Sequence, residues 1–254
     1  DAYMNFNIWL ILAVFLPIAC GVLILFFPGL KKRNLLLGVS FLSLAVSMLC
    51  ALAVAAGGEA ELHLLQFGGS LEVYFHVDPL GRVFAAVITV VWLMAGIFSC
   101  EYMKHEKEEK RYFGFYVLVY GVLMALCFSG NLVTYYMFYE MMTLTTLPLI
   151  MHNKSREAIM AGLKYLFYSL CGAYLVLFGI YFLNRYAGTL DFTAGGSGLE
   201  AAGGHSALML AVVFLMILGF GVKAGMFPMH AWLPTAHPVA PAPASAVLSG
   251  LVVK

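Results

Sequence analysis

The sequence predicts an all-α polytopic membrane protein of about eight spanning helices, the seventh of them broken. Three observations carry this expectation. The chain of 254 residues is 63% hydrophobic and 11% charged, with mean hydropathy +0.92, so too little polar surface exists to cover a soluble core. Its apolar residues come in runs of roughly 20, the length that crosses about 30 Å of hydrocarbon. Its Lys and Arg residues collect in alternate loops, as spanning topology requires.

Taken in order, the first predicted span covers about 6–27 and the second about 34–56. The first apolar run is too long for the core of a signal peptide and lacks an A-x-A site, so it reads as a spanning helix. Alternating apolar and polar residues at 61–71 and 72–76, around Gly68-Gly69, predict a short β-hairpin outside the bilayer. Spans three to six are expected at about 80–100, 112–128, 132–151 and 158–183. A Gly/Ala/Ser-rich loop at 188–206 leads to the seventh, 207 to about 227. The eighth begins near Pro243 and is still running at Lys254.

Lys31, Lys32 and Arg33 lie between spans one and two, Lys104, Lys107, Lys110 and Arg111 between three and four, and Lys154 and Arg156 between five and six. The alternate loops carry Glu59, Glu61, Glu72, Asp78, Asp191 and Glu200, with Arg82 and Arg185 as their basic residues. This asymmetry predicts an external N-terminus in a bacterial- or archaeal-type cell (inner) membrane. The net charge of +1 by itself says nothing about nucleic acid, which is not expected as a partner; the expected surroundings are the lipid bilayer. The five cysteines, Cys20, Cys50, Cys100, Cys127 and Cys171, form no C-x-x-C pair, which argues against iron–sulfur, haem c and zinc-ribbon sites. They read as small buried apolar residues. No Gly-rich nucleotide loop occurs, and no catalytic, cofactor or metal site is expected.

Four ionisable residues fall inside predicted spans: Glu140, Lys164, Lys223 and Lys254. Charges in hydrocarbon are costly and mark a polar pathway by default. Glu140 lies about nine residues into its span, roughly 13 Å deep, and Lys223 is its natural partner. At ~4 Å and an effective dielectric of ~20 such a pair is worth about 4 kcal/mol, enough to decide whether the lysine keeps its proton. Lys164 sits closer to the basic end, where its stem can snorkel. Around Lys223, residues Gly219, Gly221, Gly225 and Pro228 predict a distorted helix whose carbonyls and nearby water meet the charge. His230 and His237 follow in a Pro-rich connection. Lys254 ends the sequence about eleven residues into the eighth span, where a free carboxylate and unpaired carbonyls would lie in hydrocarbon. The expectation is that the helix continues in further residues.

The run Gly219-Phe-Gly-Val-Lys223, then Phe227-Pro-Met-His230-Ala-Trp-Leu-Pro-Thr-Ala-His237-Pro, then Ala240-Pro-Ala-Pro-Ala-Ser-Ala-Val-Leu-Ser-Gly-Leu-Val-Val-Lys254 resembles the antiporter-like membrane subunits. That family is shared by respiratory complex I (NADH:quinone oxidoreductase), membrane-bound hydrogenases and Mrp-type multisubunit Na⁺/H⁺ antiporters. Val77-Asp-Pro-Leu and the segment from Asn131 through Glu140 to Leu144 add to the likeness. The resemblance implies a fold of about fourteen helices with two inverted repeats of five. Residues 1–111 would hold helices 1–3 with the hairpin and a cytoplasmic loop; 112–254 would hold the first repeat, helices 4–8, cut within helix 8. It also implies that Glu140, Lys223 and Lys254 carry protons along the membrane midplane, fed by His230 and His237, with Lys164 nearby. The function so implied is proton translocation in a redox-driven complex of complex I or hydrogenase type, with soluble redox subunits as further partners. Two alternatives stay open: a Mrp-type antiporter subunit, and a structural anchor for soluble subunits.

Overall fold

A computed structural model describes residues 2–30, 32–57, 60–68, 71–193 and 203–253. Its helices are α1 (Ala2–Phe26), α2 (Arg33–Gly57), α3 (Pro79–Tyr102), α4 (Glu109–Cys127), α5 (Leu132–Ile150), α6 (Arg156–Tyr186) and α7 (Ser206–Lys223). Two short pieces follow, α8 (Leu233–Ala236) and α9 (Ala242–Val247), the latter running into a π-turn, Leu248–Val252. Strands β1 (Glu61–Gln66) and β2 (Glu72–His76) pair antiparallel with a register shift between His63 and Leu65.

Helix starts follow local chemistry. Asp78 accepts from the Gly81 N–H at 2.6 Å, with Pro79 in the first turn, and so opens α3. Asn131 caps α5 through the Thr134 N–H at 2.8 Å, and Ser155 caps α6 through the Ala158 N–H at 3.1 Å.

Six helices are long and apolar enough to cross a membrane, among the described residues: Phe6–Phe26, Arg33–Gly57, Pro79–His105, Glu109–Cys127, Arg156–Tyr186 and Ser206–Lys223. The fifth predicted span also forms a helix, α5, but its Glu140, its tyrosines and its threonines make it more polar than these six. It buries Phe138, Tyr139, Met142, Thr143 and Thr146 and exposes Met137, Met141 and Leu144. The seventh differs more. Hydropathy carries it to about 227, whereas the helix stops at Lys223. Gly225, at φ +71°, adopts the left-handed conformation that reverses the chain.

α4 is the centre of the bundle. Its Tyr112, Tyr116 and Tyr120 recur every fourth residue and so line one face, toward α3. Tyr112 donates to Ser99 Oγ at 2.9 Å, Tyr116 to the Trp92 carbonyl at 2.6 Å and Tyr120 to Thr89 Oγ1 at 2.9 Å. The directions are fixed because Ser99 and Thr89 give their own hydrogens to the Ala95 and Ala85 carbonyls. Against its other side lies α1, close enough that a Cβ at Gly121 would stand 2.6 Å from the Val14 carbonyl. α3 turns Leu80, Val83, Val87, Val90, Met94 and Ile97 outward, a stripe at helical spacing suited to lipid. Of the cysteines, Cys50 is buried, as a small buried apolar residue should be, whereas Cys171 is exposed on α6, which corrects that reading there.

The loops sort to two ends. At one end Arg33 pairs with Glu109 at 2.9 Å and donates to the Cys100 carbonyl. Lys110 there donates to the Phe27 carbonyl, and Lys154 pairs with Glu108 at 2.7 Å. At the other end the hairpin joins the α4–α5 turn and the segment after α6. Gly130 N–H donates to the Tyr74 carbonyl, Leu132 N–H to the Leu190 carbonyl, and the Tyr74 hydroxyl to Asp191 at 2.8 Å. The charge-rich loops that the sequence grouped together therefore meet in space.

Candidate functional site: a buried lysine at a helix stop

Lys223 is the last residue of α7 and is 2% exposed. The helix ends there in a Schellman turn: Met226 N–H bonds the Gly221 carbonyl at 2.8 Å and Gly225 N–H the Val222 carbonyl at 3.3 Å. A buried indole, Trp232, adds a second donor to the Val222 carbonyl at 2.8 Å. The Gly221 and Val222 carbonyls at the stop are thus taken by the chain itself and by Trp232. What the break does supply is the partial negative charge of a helix C-terminus, which favours a cation at this position.

The lysine side chain crosses to α5. Its Nζ donates to Thr143 Oγ1 at 2.5 Å and to the Tyr139 carbonyl at 3.3 Å, and lies 4.3 Å above the centre of the Tyr139 ring. That ring is held in turn by Phe220 at 5.5 Å and Tyr135 at 6.1 Å. An ammonium thus receives two oxygens and an aromatic face, a set that compensates burial.

Glu140 is half-buried, and its Oε1 is buried without a hydrogen-bond partner among the described residues. It makes no ion pair with Lys223; the salt bridges within 4.0 Å involve other residues. Helix geometry gives the reason. At about 100° per residue, Tyr139 and Thr143 stack on one strip of α5, and Glu140 is turned about 100° from the first and about 60° from the second. Residue type and depth in the span suggested the partner, and rotation around the helix turns it aside. The two groups still lie within each other's electrostatic reach.

Next to this grip runs a line of buried polar and aromatic side chains. Thr146 Oγ1 donates to the Met142 carbonyl at 2.7 Å and accepts from the Tyr165 hydroxyl at 2.9 Å. The Tyr165 ring, fully buried, packs on Trp232 at 5.0 Å. Trp232 in turn faces His237 at 6.4 Å, and His237 Nδ1 bonds Ser245 Oγ at 2.9 Å. The structure thus brings Lys223 and His237 to the two ends of one cluster. His230 is exposed and stacks on Phe227 at 5.7 Å, outside it. Lys164 is half-buried on α6, next in sequence to Tyr165. Lys254 lies outside the described residues.

Sequence reasoning missed Thr143, Thr146, Tyr165 and Trp232. The signal was present in Thr143-Leu-Thr-Thr146: two hydroxyls three residues apart on the helix that carries Glu140, hence on nearly one face.

Known proteins repeat this arrangement of segments. Residues 129–254 match the model described as NADH:quinone oxidoreductase/Mrp antiporter, TM, and residues 65–113 that of NADH-Ubiquinone oxidoreductase (complex I), chain 5 N-terminus. The chain belongs to the antiporter-like membrane subunit family. Within it, Hydrogenase-4 component B of Escherichia coli (strain K12) is 31% identical over 185 residues, 72% of this chain and 27% of that protein. An Na(+)/H(+) antiporter subunit of Bacillus subtilis (strain 168) is 25% identical over 255 aligned positions, 98% of this chain and 50% of that protein. In fold, the chain superposes on a component of the membrane-bound sulfane sulfur reductase, an archaeal respiratory membrane complex, with TM-score 0.76 at 21% identity, covering 96% of this chain and 50% of that one. The chain spans half or less of the length of these relatives. It is a multi-pass membrane protein with the antiporter-like fold.

Proposed function

We propose that this chain carries protons within a redox-driven ion-pumping complex of complex I or hydrogenase type, with Lys223 as the group that takes up and releases them. The single observation that carries the reading is the buried Lys223 at a helix stop, gripped from α5, with an unpartnered Glu140 oxygen nearby. A purely structural anchor has no need of such a group in its interior. Glu140 is the alternative partner: when Lys223 Nζ swings from Thr143 to Glu140, the ion pair holds the proton, and when it swings back the proton is free to leave. His237, with His230 farther out, feeds the cluster from the basic end, and Lys254 receives the proton on the far side. Lys164 tunes the local field from α6.

Proton rather than sodium follows from the oxygens in use. The two acceptors that a sodium ion would need here, Thr143 Oγ1 and the Tyr139 carbonyl, are taken by the ammonium. The 31% identity to a hydrogenase-4 component supports the redox-driven assignment. A Mrp-type antiporter subunit is the second reading, favoured by the likeness to the Bacillus subtilis antiporter protein along 98% of the chain.

The partners are other membrane subunits and, in the redox-driven reading, soluble redox subunits. The site is the bacterial or archaeal inner membrane, with the basic end in the cytoplasm and the N-terminus outside. Residues 112–254 act as the first repeat and residues 1–111 as its flanking helices. The test is Glu140→Gln in membrane vesicles carrying the assembled complex. Proton uptake is expected to fall strongly while the complex still assembles; unimpaired uptake would overturn the proposal.

A further inference from the structure

We propose that Thr143 is a positioning residue for Lys223: its hydroxyl, with the Tyr139 carbonyl, forms a perch that holds the ammonium off the Glu140 carboxylate and sets the balance between perched and paired lysine. The inference rests on the proton-carrying role assigned to Lys223 above and adds a residue that decides where the lysine rests.

The first support is the direction of the hydrogen bonds. Thr143 gives its own hydrogen back along the helix to the Tyr139 carbonyl at 3.3 Å, so toward Lys223 it shows lone pairs only. It therefore accepts from the ammonium and cannot pass a proton onward. The neighbouring hydroxyls are committed in the same way. Thr146 donates to the Met142 carbonyl, and Tyr165 donates to Thr146. Neither of these hydroxyls has a hydrogen pointed at Lys223. At the lysine the Thr143 hydroxyl holds the ammonium in place.

The second support is that a competing acceptor stands empty. Glu140 Oε1 is buried and unpartnered among the described residues, and Glu140 precedes Thr143 by three residues on the same helix. The two acceptors are thus about 60° apart around α5. The flexible four-carbon lysine stem supplies the torsional freedom that a move between them requires. Tyr139 is the remaining titratable group in contact with the ammonium, through its ring and its carbonyl. Its hydroxyl makes no hydrogen bond among the described residues.

The third support is fit. The perch uses the strip of α5 that faces α7, whereas Glu140 lies off it. A lysine leaving the end of α7 meets Thr143 directly and must deviate to reach the carboxylate. A Thr143 oxygen weighs the resting position toward the perch, and its removal shifts the weight to the pair.

The experiment compares Thr143→Val, which keeps the shape and removes the hydroxyl, with Thr143→Ser, which keeps the hydroxyl. Thr143→Ala serves as a second hydroxyl-free variant in case valine impairs assembly. Proton uptake is measured in vesicles carrying the assembled complex, and the position of Lys223 Nζ is read by cryo-electron microscopy. In the valine and alanine variants uptake should fall by ~10-fold or more, the effect of losing one hydrogen bond to a charged group. Nζ should then lie on Glu140. Thr143→Ser should pump near the parental rate with Nζ on the serine oxygen. Parental uptake in both hydroxyl-free variants would overturn the inference, as would equal loss in serine and valine, which would mark a packing role. Glu140→Gln run in parallel separates the two levels. If it pumps normally, the proton-carrying role itself fails; if it is inactive while Thr143→Val is normal, the perch alone fails.

Discussion

Replacing Trp232 with phenylalanine tests how the helix stop is held. The indole is 1% exposed, and its Nε1 donates to the Val222 carbonyl at 2.8 Å, one residue before Lys223. That carbonyl keeps the Gly225 N–H, so it is weakened rather than orphaned, and the lost bond costs about 1 kcal/mol. The smaller ring leaves roughly 40 Å³ beside Tyr165, which at about 24 cal/mol per Å³ adds ~1 kcal/mol. The total, about 2 kcal/mol, should lower the thermal midpoint of the purified protein in detergent by a few degrees. It should also loosen the register of α7 against α5 and reduce proton uptake several-fold, because the Lys223 grip depends on that register. A variant with parental midpoint and parental uptake would refute this account of the helix stop.

Two further outcomes follow from packing and protonation. Gly172→Val on α6 puts a Cβ 2.6 Å from the Gly219 carbonyl and 3.0 Å from Val222 Cβ, so α7 must shift; overpacking of this kind costs about 1–3 kcal/mol and should cut the yield of folded protein on native gels. Gly38→Ala on α2 meets nothing within 4 Å and should be neutral or slightly stabilising, which makes it the control. His152, in the α5–α6 turn, is buried and bonds the Lys107 carbonyl at 2.9 Å through Nε2, tying that turn to the α3–α4 loop. Burial, together with the nearby Arg111, holds its pKa below the usual 6.5, so the folded ring is neutral while the unfolded ring protonates first. The stabilisation is therefore complete above pH 6.5 and declines as pH falls below it toward the lowered folded value. Protection of the 103–108 loop, taken relative to the intrinsic exchange rate at each pH, should fall as pH drops below 6.5 in the parent and change less in His152→Gln; equal pH response in the two would contradict the tie.

Much of the fold was legible because membrane chemistry writes long signals. The apolar runs located α1 to α6 within a few residues, and the alternation around Gly68 found the hairpin. The loops bearing Arg33, Lys110 and Lys154 were grouped by charge, and their contacts with Glu109, Phe27 and Glu108 join them at one end. What was not legible depends on angle and on local stops. Gly225 at positive φ ends α7 at Lys223, earlier than hydropathy alone suggests, because Met226 and Phe227 remain apolar after the helix has closed. The pairing of Glu140 with Lys223 was inferred from type and depth, yet one residue is a rotation of about 100°. That rotation sets Tyr139 and Thr143 where the lysine arrives. Trp232 and Tyr165 gave no sequence signal of their own, since an aromatic residue in an apolar run reads as core whether or not its polar atom holds a functional neighbour.

The most direct test of the central claim is proton uptake by vesicles carrying Lys223→Met, an unbranched apolar side chain that removes the charge and preserves helix propensity. With the complex assembled and its subunits co-purifying, uptake should fall to the level of vesicles lacking the chain. Uptake at the parental rate would contradict the account, because it would mean that protons cross without the buried lysine at the end of α7.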